Sequence, residues 1–264
     1  MPDDFTASHR AGSGSPMVCL HGFTGTWRVW EPVLPALERH HDVLAPTLLG
    51  HAGGSPLSED MDDDTYVDAL ERMMDEAGFE TAHIVGNSMG GYLALRLAER
   101  GRARTVVALA PAGGWAPEDE SFRDTLDFFT QTKALLESTA PFADQIAATP
   151  EGRRQATMMI AENHEHLSPP LVAHLIVGAA RCEATEPLIE YALEHGWKLQ
   201  PELVRCPVRI VWGTQDRLLK WPTAAARYRH ELPAADWVEL EGVGHCPQID
   251  VPTETADLIL GFTA

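Results

Sequence analysis

Short apolar runs recur along the chain, and between them the apolar positions spread out to a helical period. The runs are Met17-Val18-Cys19-Leu20, Val43-Leu44-Ala45, Ala82 to Val85, Thr105 to Leu109, Val208 to Trp212 and Trp237 to Leu240. Brief, mostly apolar runs of this kind predict strands covered on both faces. Helical spacing runs over Trp27 to Glu38, Tyr66 to Ala77, Tyr92 to about Arg100, Pro222 to His230 and Thr253 to Phe262. Asp62 to Asp64 precede the second of these, where negative charge suits a helix N-terminus. Strands alternating with amphipathic helices predict an α/β fold with a mostly parallel, doubly wound sheet.

The alternation breaks between Trp115 and Leu199. Helical patterns cover Phe122 to Leu136, Pro150 to Glu162, Pro169 to Ala180 and Glu183 to His195, with Ile146-Ala147-Ala148 in a further short one. The expected organisation is a core of residues 1–114 and 200–264 with a helical cap of residues 115–199. Such an insertion would cover the carboxyl ends of the strands, where α/β sites lie. Phe122, Phe128, Phe129, Met158, Met159, Leu171, Leu175 and Trp197 are candidates for its apolar underside.

At 264 residues the chain is long enough for one large α/β domain plus that insertion. Its net charge of -19 opposes nucleic acid and anionic membrane surfaces as partners. No apolar run approaches the length of a membrane span, and the start Met1-Pro2-Asp3-Asp4 lacks signal-peptide character. Cys19, Cys182, Cys206 and Cys246 are scattered, without a C-x-x-C pair. The expectation is free thiols in a reducing cytoplasm, with no structural zinc. Glu162-Asn163-His164-Glu165-His166 with His174 lacks H-E-x-x-H spacing and reads as exposed surface. The oligomeric state is left open.

One pentapeptide changes the picture. Gly86-Asn87-Ser88-Met89-Gly90 sits between a strand and a helix. That context makes G-x-S-x-G a nucleophile elbow, with the serine hydroxyl held out above the sheet. Two later strand ends carry the partners such a serine needs. Asp216 follows Trp212-Gly213, and His245 lies in the glycine-rich stretch Gly242 to Cys246. His245 would be the general base and Asp216 its orienting acid, giving an acyl-enzyme on Ser88. The backbone N–H groups of Met89 and Phe23 would form the oxyanion hole. Asn87, Trp115, Phe128 and Trp197 are candidates for the substrate pocket, and Cys246 is expected to line it.

The stretches LHGFTG (20–25), LLGHAGGS (48–55), VGNSMGGYLAL (85–95), VWGTQDRLL (211–219) and GVGHCPQIDVP (242–252) together resemble the α/β-hydrolase superfamily, in its cofactor-independent branch with a helical cap. The resemblance implies the triad order Ser88, Asp216, His245, no cofactor or metal, and a small ester, lactone or ketone as substrate. It also implies an N-terminal hairpin before the His-Gly strand; the short lead here predicts that hairpin to be short or missing. A serine at the elbow argues against haloalkane dehalogenase and epoxide hydrolase chemistry, which proceeds through a carboxylate ester. Ester or lactone hydrolysis is the first reading. Carbon–carbon hydrolysis of a vinylogous diketone stays open, because GNSMGG is similar to that group, which however places an aromatic after the histidine. A lyase like SHCHC synthase also stays open, although Tyr92 stands where that group has an arginine; Arg123, Arg153, Arg154 and Arg181 of the insertion are possible substitutes. A hydrolase-fold ligand receptor with little turnover is the alternative of another class.

Overall fold

The computed structural model describes residues 5–58 and 60–264; the reading of Met1 to Asp4 lies outside them. Seven strands form one sheet: β1 (Ser8–Gly12), β2 (Ser15–Leu20), β3 (His41–Pro46), β4 (Ala82–Asn87), β5 (Ala103–Leu109), β6 (Val208–Gly213) and β7 (Asp236–Leu240). Their order is β1-β3-β2-β4-β5-β6-β7. Only β1 is antiparallel, pairing with β3 from Ser8 opposite Pro46 to Gly12 opposite Asp42. The remaining neighbours are parallel. Among the described residues, this single antiparallel strand stands where the family resemblance implies a hairpin.

Strand β1 carried no sequence signal. Its residues Ser-His-Arg-Ala-Gly alternate between exposed and half-buried. Backbone pairing and the Arg10–Asp42 ion pair (2.7 Å) hold it on the edge, not apolar burial.

Both faces of the sheet are covered, which explains the mostly apolar runs. Along β2, Val18 and Leu20 face one cluster and Met17 and Cys19 the other. The first cluster takes α2 (Thr65–Glu76), α3 (Met89–Glu99) and α9 (Ala226–Glu231). The second takes α1 (Leu34–Leu37) and α11 (Pro252–Thr263), preceded by the short α10 (Pro247–Asp250). The helix expected over Trp27 to Glu38 is broken into a 3₁₀ turn, Trp27–Trp30, and the four-residue α1. Pro32 lies between them and has no N–H to carry the helical hydrogen-bond ladder across.

Between β5 and β6 the chain is helical: α4 (Phe122–Thr139), α5 (Ala143–Ala148), α6 (Pro150–Thr157), α7 (Pro169–Ala180) and α8 (Thr185–His195). These helices do not act as one block. Ala143, Ala147, Val172, Ala173, Ile176 and Val177 of α5 and α7 join the second core cluster, beside Trp30 and Ile259. Leu126 of α4 with Ile189 and Ala192 of α8 form a small cluster of their own, over Phe23. Helix α6 stops at Thr157, short of the expected Glu162. The next backbone groups are taken by the far side of the molecule: Cys246 N–H donates to Ile160 O, and Glu162 and Asn163 N–H donate to Asp250. No described helix is long and apolar enough to cross a membrane.

Candidate active site

Ser88 is the turn between β4 and α3, with φ 55° and ψ −118°. A non-glycine residue held there stores about 1–3 kcal/mol of strain, so its surroundings must impose it. They do so through three hydrogen bonds. Ser88 N–H donates to Leu109 O (2.9 Å), and Ser88 O accepts from the N–H groups of Ala112 (3.0 Å) and Tyr92 (3.1 Å). The flanking glycines allow the turn to close. A Cβ on Gly86 would lie 2.1 Å from Gly90 O, and one on Gly90 would lie 2.2 Å from Leu20 O.

Gly22 crosses directly over the elbow, because a Cβ there would approach Ser88 Cβ to 3.1 Å. His21 fixes this crossing. Its Nε2 accepts from Leu48 N–H (2.9 Å), so the ring proton is on Nδ1 and is donated to Gly22 O (2.7 Å). Burial, and then His51 nearby, hold the His21 pKa well below the usual histidine range, so the ring stays neutral. Phe23 follows, and Met89 opens α3 as its first residue, where backbone N–H groups have no partner within the helix.

Asp216 and His245 stand together and buried. Asp216 Oδ2 accepts from His245 Nδ1 at 2.7 Å. Asp216 Oδ1 accepts from the N–H groups of Leu218 (2.9 Å) and Leu219 (2.7 Å), which fix the carboxylate. An ionised carboxylate only accepts, so the imidazole proton sits on Nδ1 and the lone pair on Nε2. His245 Nε2 has no hydrogen-bond partner among the described residues. It is a free acceptor, as a general base requires.

Asn87 does not line the cavity that holds Ser88. Its side chain turns inward and ties the elbow to the histidine loop. Its amide donates to His245 O (3.0 Å) and Leu109 O (3.1 Å), and its oxygen accepts from Gln248 (3.1 Å). Cys246, expected to line the pocket, instead donates its thiol to Asn87 Oδ1 (3.1 Å). Burial, with Asp216 and Asp250 nearby, raises its pKa well above the usual thiol range. The sulfur therefore stays protonated and is no second nucleophile.

The cavity above Ser88 measures about 950 Å³ including the open solvent at its mouth. Phe23, Ser88 and Met89 form its floor. Trp115, Phe122, Phe129 and Trp197 are on its walls, and Leu188 and Ile189 of α8 roof it. Phe128 faces a neighbouring cavity with Met159 and Arg217 instead. Met158 is 41 % exposed and lines neither. Asp62, Asp63, Tyr66 and Tyr191 reach the same cavity, a role their sequence pattern does not signal. Asp63 accepts from Tyr191 (2.6 Å) and pairs with Lys198.

No arginine or lysine is on the cavity wall. Arg123 and Arg154 pair with Glu120 and Glu151 at the surface, Arg153 bonds Ala147 O, and Arg181 lies over the Phe5 ring. Tyr92 does line the cavity, with its hydroxyl bonded to Lys198 O (2.8 Å). The His-rich stretch of the insertion is spent on structural contacts: His166 bonds Ile249 O, and His174 bonds Thr26. Among the described residues no three metal-ligating side chains gather.

A family model described as the alpha/beta hydrolase fold matches residues 15–252. Epoxide hydrolase EphH of Mycobacterium tuberculosis is 33% identical over 196 residues, covering 74% of this chain and 92% of that protein. The 2-hydroxymuconate semialdehyde hydrolase of a Pseudomonas species is 27% identical over 286 residues, covering 98% and 90%. Among solved structures, carboxylesterase CesB of Bacillus subtilis superposes with a TM-score of 0.72 at 18% identity, covering 98% of this chain and 88% of that one.

Proposed function

This chain belongs to the alpha/beta hydrolase fold family, and from that premise we propose that it is a serine hydrolase cleaving a carboxylic ester or lactone. The observation that carries the reading is the buried Asp216–His245 pair with Nε2 free, tied through Asn87 to a strained Ser88. In this reading His245 takes the Ser88 proton as Oγ attacks the carbonyl carbon. The tetrahedral oxyanion is held by the N–H groups of Phe23 and Met89. Collapse expels the alcohol, which receives the proton from His245. Water, activated by the same imidazole, then releases the acid and regenerates Ser88. Residues 115–199 act as the cap, with α4 and α8 forming the lid over the cavity.

The wall supports an uncharged, largely apolar acyl group. It holds eight aromatic side chains, two carboxylates and no cation, so an anionic substrate would find no partner there. That weighs against the arginine-dependent lyase. It also weighs against carbon–carbon hydrolysis of a dienoate, the second reading, which the near full-length similarity to 2-hydroxymuconate semialdehyde hydrolase favours. Epoxide opening has the name of one relative behind it, but it needs a carboxylate nucleophile and the elbow carries Ser88.

A panel of p-nitrophenyl esters tests the proposal. Neutral acyl chains should be turned over, and a terminal carboxylate on the same chain should cut kcat/KM by about tenfold or more. No turnover of any ester, with Ser88 still labelled by a fluorophosphonate, would replace ester hydrolysis by carbon–carbon chemistry. No labelling of Ser88 would sink the catalytic reading and leave a ligand receptor.

A further inference from the structure

Asp250 ends α10, five residues after His245, and is 1% exposed. Both of its oxygens are fully used. Oδ2 accepts from Gly244 N–H (2.6 Å) and Glu162 N–H (3.0 Å). Oδ1 accepts from Asn163 N–H (2.7 Å) and Asn163 Nδ2 (2.8 Å). All four contacts are donated to it, and only a carboxylate offers acceptors in every one of these directions. Gly244 precedes the histidine; Glu162 and Asn163 belong to the turn after α6.

The residue on the other side of His245 is held by the same turn. Cys246 N–H donates to Ile160 O (2.8 Å). A Cβ on Gly244 would lie 3.1 Å from Ala161 Cα, so the two backbones are in direct contact. The turn also reaches the acid's loop. Arg217, next to Asp216, donates to Met158 O (3.1 Å) and pairs with Glu162 (2.8 Å). Residues 158–163 therefore brace both loops that carry the Asp216–His245 pair, and Asp250 is the clasp.

From this geometry we infer that Asp250 is a positioning residue for His245, acting through the 158–163 turn; the inference rests on the reading of His245 as the base. The helical insertion then does more than cover the cavity. It supplies part of the mount that sets the imidazole. Cutting the clasp frees Gly244 and lets the ring shift against Ser88, a displacement that slows proton transfer while leaving the cavity wall intact.

The test is Asp250→Asn, which keeps the shape and turns one acceptor into a donor facing other donors. Its kcat should fall about ten- to a hundredfold with KM within about threefold. The low-field NMR resonance of the His245 Nδ1 proton should move or broaden. Asn163→Ala keeps the carboxylate and removes one donor; it should lower kcat about two- to fivefold in the same direction, and it decides the matter if Asp250→Asn does not fold. A wild-type kcat and an unmoved resonance in either folded variant would overturn the inference, as would a loss confined to KM. Ser88→Ala separates the two levels. Residual full activity there defeats the site itself, whereas an inert Ser88→Ala beside a fully active Asp250→Asn defeats the positioning role alone.

Discussion

The floor and the roof of the cavity are built on opposite terms. The floor is the carboxyl edge of the sheet, where Gly86, Gly90 and Leu20 meet within distances that admit no side chain. Ser88, His21 and Asp216 are each held by hydrogen bonds to fixed backbone groups. The roof is the small cluster of α4 and α8, in which Leu126, Ile189 and Ala192 are the buried members. Its contacts to the floor are rings, such as Phe129 against Phe23 at 4.7 Å. A floor of hydrogen bonds and backbone contacts has one arrangement. A roof of apolar side chains tolerates exchange at modest cost. The chemistry should therefore be brittle to change in the floor, and substrate choice adjustable from the roof.

The comparison breaks most readily at the floor. Ser88→Ala should reduce ester turnover by about 10⁴-fold or more with the fold retained; a steady-state assay with circular dichroism on the same sample checks both. Gly90→Ala should lower the melting temperature strongly or prevent folding, since its Cβ would stand 2.2 Å from Leu20 O. A melt within a few degrees of wild type would show the elbow to be looser than described. On the wall below the roof, Trp197→Ala should keep the fold and lower the melting temperature less than Gly90→Ala does. It should shift the preferred acyl length upward, changing kcat/KM ratios between neighbouring chain lengths about tenfold. An unchanged length profile would remove Trp197 from the substrate wall.

The smallest effect concerns acid. His51 is buried behind Phe23, and burial pushes its pKa down to about 4. An unfolded histidine titrates at about 6.5. The unfolded chain thus binds the extra proton first, and this contribution to stability is complete above pH 6.5 and lost as pH falls toward 4. His51→Gln should flatten the fall of melting temperature across that window. An identical slope in the variant would contradict a neutral, buried ring.

The floor was also the legible part of the sequence. Ser88, Asp216 and His245 each follow an apolar run, and a strand end fixes where the next residue stands. What sequence could not show were residues whose role depends on a distant partner. Asn87 reads as part of the elbow, yet its side chain serves His245 O. Asp250 looks like a surface acid ahead of a proline, yet it is buried under donors from the insertion. Strand β1 has no apolar pattern because an edge strand can be held by its backbone. The roof was legible only as helices. Phe128 and Phe129 are adjacent in sequence and face different cavities, a difference set by how α4 is turned and not by composition.

Trapping the acyl-enzyme tests the central claim most directly. Reaction with a p-nitrophenyl ester, quenched in acid within the first turnover and digested for mass spectrometry, should place one acyl group on the peptide carrying Ser88. Hydrolysis that proceeds with no acyl group on Ser88, or with the acyl group on another residue, would contradict it.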